Sequence, residues 1–297
     1  MPLPYAAHLR FVAPARSRSE PWRLALGIVM VVVIYIGLLW AVQAIVMTVL
    51  SPDAYLMFRQ STARGATAGG ALFILGSFAC LAVAIMAVAH QLHGRGPATL
   101  VGPPRLALRQ GVTVLLGLTM LFTAIWLLPP SEVGPSAEQT LPVLDWAVLL
   151  PLSIPALLIQ TTAEELAFRG YIQQQLAARF RSPLIWMGLP ACLFGLMHYR
   201  PEAGGNAPLL MAWAALFSLA AADLTARAGT LGPAIVLHFA SNATAILFVS
   251  YDSSLSGLAL HQQPLDLADT DALRPMFLAD CATLLLCWLT ARLILRR

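Results

Sequence analysis

Apolar residues run along this chain in stretches too long for the core of a soluble domain. They cover residues 24–50, 66–89, 111–128, 146–163 running on towards 175, 184–198, 208–222, 229–249 and 276–294. Crossing the roughly 30 Å hydrocarbon core takes about 17–25 apolar residues in helical form. A helix is the expected element because in lipid it satisfies its own backbone N–H and C=O groups. The pattern therefore predicts an all-α, polytopic membrane protein of about eight transmembrane helices. Pro151 and Pro155 fall inside the fourth stretch, where they are expected to kink it.

Polar positions divide the chain. Residues 1–22 read as a polar leader with Pro and Arg, and residues 23–140 as an N-terminal transmembrane scaffold of about three helices. Residues 145–250 hold most of the polar groups that lie inside apolar sequence, and residues 276–297 form a last transmembrane helix. The first apolar stretch is too long for a signal peptide and lacks a cleavage pattern. Gly65 and Gly69 make a small-xxx-small step that fits close helix packing. His90, His93 and His261 fall at the ends of stretches or in loops and read as ordinary solvated histidines.

Composition agrees with this setting. The chain is 59% hydrophobic and 11% charged, against about 25% charged in a soluble domain, and its mean hydropathy is +0.75. All 18 basic residues are arginine. They gather before the first stretch, between the second and third, after the fourth, before the seventh and at the C-terminus. By the positive-inside tendency, both termini are expected in the cytoplasm. The net charge of +4 is thus an orientation signal, and basic residues dispersed over loops give no nucleic-acid face. Cys80, Cys192, Cys281 and Cys287 lie in apolar stretches without metal-type spacing and read as packing residues.

Against this background a few polar residues stand out. Glu164-Glu165-Leu166-Ala167-Phe168-Arg169 follows an almost purely apolar run; His198 closes Phe194-Gly195-Leu196-Met197; His238 and Asn242 interrupt the seventh stretch. A charge at membrane depth costs at least about 2.5–3.5 kcal/mol, so such groups mark a working cavity. Glu165 and Arg169 are four apart in an order that favours pairing, which leaves Glu164 pointing about 100° away and free for general-base work. His198 lies at a comparable depth if the helices meet at a turn near Ser182-Pro183. His238 and Asn242 share one face and supply two donors for a developing oxyanion. Asp145 and Asp280 read as interfacial or helix-pairing groups.

The motifs EExxxR at Glu164–Arg169, FxxxH at Phe194–His198 and HxxxN at His238–Asn242 resemble, in order and spacing, those of the CPBP family: CAAX prenyl endopeptidases and bacterial bacteriocin-processing and immunity (Abi) proteins. The resemblance covers about a third of the chain. It implies an intramembrane endopeptidase in a bacterial inner membrane, acting on a membrane-associated peptide or protein substrate. Glu164 and His198 would activate water, His238 and Asn242 would form the oxyanion hole, and no cofactor would be needed. Two rivals remain open at this level. One is a zinc endopeptidase using Glu164, His198 and His238 as a His₂Glu site; the other is a non-catalytic scaffold or immunity protein. A transporter is disfavoured, since the first three stretches offer no polar path.

Overall fold

A computed structural model describes residues 5–128, 137–250, 254–263 and 265–296. Residues 129–136 and Arg297, which contribute to the charge asymmetry above, lie outside the described residues, as does the start of the leader. The helices are α1 (Ala6–Val12), α2 (Pro21–Val49), α3 (Pro52–Arg64), α4 (Ala68–His93), α5 (Pro97–Val101), α6 (Pro104–Trp126), α7 (Val143–Arg179), α8 (Leu184–Met197), α9 (Ala207–Ala228), α10 (Gly232–Phe248) and α11 (Thr270–Leu295). Among the described residues six helices are long and apolar enough to cross a membrane, and α8 and α10 are shorter apolar ones. The protein is a multi-pass, all-α membrane protein. Three two-residue strands, β1 (Glu138–Gln139), β2 (Val249–Ser250) and β3 (His261–Gln262), pair in the order β1-β3-β2, antiparallel then parallel.

Outward faces show why the chain reads as membrane-embedded. Trp40, Met120, Val148 and Leu285 are exposed side chains on four different spans, a distribution that is unfavourable in water and favourable in lipid. Inside, α4 packs between α2 and α7, α9 against α8, and α10 against α6, α7 and α9, while α11 closes the bundle on α6 and α9. α7 runs through both Pro151 and Pro155 as one helix. It then widens into π-helical turns over Leu166–Gln173, directly after the two glutamates. Two further π-helical stretches open α8 at Leu184–Gly188 and follow Asn242 on α10 at Thr244–Phe248. Such turns insert an extra residue into a helix and recur at functional sites.

Arginine-bearing helix ends meet at one end of the bundle. The Arg18 carbonyl bonds His93 Nδ1 at 2.9 Å, and Arg95 donates to Gln174 Oε1 at 2.6 Å. Gln110 donates to the Ala228 carbonyl at 3.3 Å. Here the structure corrects two readings and adds to a third. The described part of the leader packs on the bundle: α1 buries His8, Phe11 and Val12, sets His8 4.6 Å from the Trp186 ring and lays its Ala7 carbonyl against Gly229. A Cβ at Gly229 would sit 2.9 Å from that oxygen, and the residue's φ is +70°, so glycine is needed there twice over. His93 is not solvated; it is buried and bonded to the Tyr171 hydroxyl at 2.7 Å. The close approach near the start of α4 is made by Gly70, whose Cβ would strike the Ser61 backbone, whereas Gly69 faces open space.

Candidate active site

α7 carries the acids and α10 the groups that meet them. Glu165 and Arg169 form a fully sealed pair at 2.9 Å, with side chains 0% and 1% exposed. Arg169 also donates to the Ser218 carbonyl on α9 at 3.1 Å, and its guanidinium lies 5.2 Å from the Phe194 ring centre. The pairing expected from the four-residue spacing is therefore present, with an extra anchor that secures the arginine to a neighbouring helix.

Glu164 and Glu165 nevertheless share a partner. The His238 ring stands between them, Nδ1 at 2.8 Å from Glu165 Oε1 and Nε2 at 3.5 Å from Glu164 Oε2. Divergent side chains on one helix reach one imidazole because its two nitrogens face opposite ways and α10 passes alongside α7. Since a carboxylate only accepts, Nδ1–H is the donor to Glu165. Phe217 packs edge-on against the ring at 4.9 Å and fixes its plane. Of the two acids only Glu164 is reachable: its side chain is 19% exposed.

Gln160, one helical turn before Glu164, was not singled out by its sequence context. It donates to Glu164 Oε1 at 2.8 Å and accepts from Asn242 Nδ2 at 3.0 Å. One buried amide thus links the open carboxylate to Asn242 on α10. A polar residue four positions before the first glutamate was the available signal. The N-terminal scaffold reaches α7 through α4, which packs along it.

His198 is placed differently. It ends α8, is exposed, and its Nδ1 donates to the Phe194 carbonyl at 2.8 Å while its ring lies over the Phe194 ring at 4.6 Å. That bond fixes the tautomer and leaves Nε2 as the acceptor. Phe194 also faces His238, with ring centres 6.1 Å apart. His198 therefore stands beside the cluster through Phe194, without a hydrogen bond to Glu164. Glu164, His198 and His238 do not come together as a ligand set, and among the described residues no three His, Cys, Asp or Glu side chains are grouped to hold a metal ion. Asp145 lies in the first turn of α7, and Asp280, on α11, lines a small cavity with Trp213, Ser241 and Thr244 on the far side of α10.

A comparison with protein families falls on this region. Residues 146–244 match the family model described as Type II CAAX prenyl endopeptidase Rce1-like. An uncharacterized protein of Bacillus subtilis (strain 168), YyaK, is 29% identical over 114 residues, which is 37% of this chain and 37% of that protein. The match thus spans little more than a third of the relative's length. No solved structure matches. The matched segment includes both glutamates, Arg169, His198, His238 and Asn242, so residues 146–244 are similar to the Rce1-like type II CAAX prenyl endopeptidases over the stretch that holds the acid cluster.

Proposed function

We propose that the protein is an intramembrane endopeptidase that hydrolyses a peptide bond in a membrane-associated substrate without a covalent nucleophile or a resident metal. The observation that carries this reading is a reachable carboxylate, Glu164, joined directly to His238 and through Gln160 to Asn242, two groups from one face of α10.

Glu164 accepts the proton of an attacking water and returns it to the departing amine nitrogen as the C–N bond breaks, and His198 Nε2, free to accept, holds that water from the α8 side. The tetrahedral oxyanion is met by His238 Nε2 and by the Asn242 amide, whose second N–H is available beyond its bond to Gln160. Arg169 offsets the charge of Glu165, and a proton between His238 Nε2 and Glu164 offsets that of Glu164, so the cluster is neutral at depth. Low dielectric strengthens each of these contacts at the reacting centre. The arginine-rich end faces the cytoplasm on the positive-inside tendency, which puts both termini there.

Glu164→Gln preserves shape and removes the base. Proteomics of membranes carrying wild type or Glu164→Gln should reveal a peptide that accumulates uncut in the variant. Identical peptide profiles with both proteins folded would favour a scaffold or immunity role instead. Asn242→Ala should slow turnover by roughly 10²–10³, since an oxyanion donor contributes about 2.7–4 kcal/mol. Stoichiometric zinc whose chelation stops cleavage, and whose return restores it, would overturn the metal-independent reading.

A further inference from the structure

The arginine-rich end carries a cavity unrelated to the acid cluster. It has a volume of about 240 Å³ and lies between α1, the first turns of α6, the end of α9 and the end of α11. Arg10 and Arg109 face it from two helices, Thr113 adds a hydroxyl, and Ile294 and Leu295 form an apolar wall. No acid lines it. Among the described residues neither Arg10 nor Arg109 has an acidic partner, whereas the acids of this end, Glu20 and Asp223, are paired with Arg23 and Arg227. Gln110 is a fixed wall: its amide donates to the Ala228 carbonyl and accepts from the Thr230 hydroxyl at 2.6 Å.

Depth and rim define the ligand. α6 begins, and α9 and α11 end, at this level, so the cavity lies where hydrocarbon gives way to headgroups. Each lining arginine is preceded by an outward leucine: Leu9 is 55% exposed and Leu108 70%. Leu293, 77% exposed, stands beside the apolar wall. Cationic groups at headgroup depth beside apolar, lipid-facing side chains complement an amphiphile with an anionic head. Guanidinium pairs suit phosphate because they donate in a planar fork, and basic pockets between spans on the cytoplasmic side are suited to anionic headgroups.

We infer that this cavity binds the phosphate headgroup of an anionic phospholipid, with its acyl chains along the Leu108 and Leu293 surface. The lipid would tie α1 and α11, the two ends of the chain, to α6. The inference stands independently of the proteolytic reading.

Thermal unfolding of delipidated protein in neutral detergent tests it, with phosphatidylglycerol, phosphatidylcholine or inorganic phosphate added to separate samples. The wild-type Tm shift with phosphatidylglycerol should be at least about twice that with phosphatidylcholine, since a ligand stabilises in proportion to its preference for the folded state. In an Arg10→Gln/Arg109→Gln variant the two shifts should become equal. An Arg59→Gln/Arg274→Gln control, with the same charge lost at the opposite end, should behave as wild type. Equal shifts in wild type, or an undiminished excess in the first variant, would overturn the site. Inorganic phosphate alone reproducing the full shift would overturn its assignment to a lipid. If the double variant does not fold, Arg109→Gln alone should lose co-purified anionic lipid in native mass spectrometry, and retention of that lipid would again overturn the site.

Discussion

Two clusters in this molecule start from the same local device, an acid followed four residues later by an arginine. One is Glu165–Arg169 on α7; the other is Asp223–Arg227 on α9, joined at 2.8 Å. Each recruits groups from elsewhere: His238 and the Ser218 carbonyl in the first, the Tyr5 hydroxyl at 2.8 Å and Trp288 Nε1 at 3.0 Å in the second. They differ in seclusion. The α7 side chains are at most 1% exposed, against 10% for Asp223 and 15% for Arg227. At depth the pair makes a second, reachable carboxylate tolerable next door; at the arginine-rich end it fastens the first and last helices onto α9. Identical sequence spacing therefore supports the proposed catalytic acid in one place and fastens helices in the other, and burial makes the difference.

The contrast breaks most visibly at the sealed pair. Removing one partner of a buried ion pair strands the other charge and costs about 3–5 kcal/mol, so Arg169→Met and Glu165→Gln should both lower thermal stability in detergent by that order. Arg227→Met should cost clearly less; equal losses would remove the distinction drawn from burial. Next, Asp223→Asn weakens bonds to Tyr5, Trp288 and Arg227 at once and should cost about 1–3 kcal/mol. It should also expose α1 to limited proteolysis while leaving cleavage by the intact bundle largely unchanged.

Gln160→Met sharpens the comparison from the chemical side. It deletes the amide between Glu164 and Asn242 with little change in volume. Turnover should fall about tenfold, roughly the 1.4 kcal/mol of one hydrogen bond, with KM nearly constant; a loss confined to stability would reduce Gln160 to packing. The smallest effect concerns pH at the α1 end. Burial against Trp186 holds His8 down at about 4 from an ordinary 6.5. The unfolded chain then binds a proton that the folded one refuses, so stability is complete above about 6.5 and declines as pH falls towards 4. At pH 6 the loss should be under about 1 kcal/mol, and His8→Phe should flatten the pH dependence of Tm over that window.

Much of this was legible in the sequence because it is local. Long apolar stretches gave the spans, and the four-residue spacing of Glu165 and Arg169 gave their pair. What was not legible depends on distant partners. The sharing of His238 by both glutamates follows from how α10 crosses α7, and no spacing within either helix encodes it. Gln160 looks like one more polar interruption until Asn242 arrives from 82 residues away. The leader reads as polar because its arginines dominate a short segment, yet its buried side is completed by Trp186, Asp223 and Gly229. His93 sits at a helix end like any interfacial histidine, and only Tyr171 makes it an internal one.

The docking of α1 sets an order of events during synthesis. Tyr5 leaves the ribosome well before the carboxylate it bonds, which is made 218 residues later. Until α8 and α9 have entered the bilayer, α1 has no seat, and the arginine-rich end of the bundle stays open. Closure of that end is therefore a late step, completed after the acids of α7 and their partner Arg169 have been made. A nascent chain stalled before Asp223 would hold its spans in the membrane with its first helix still undocked.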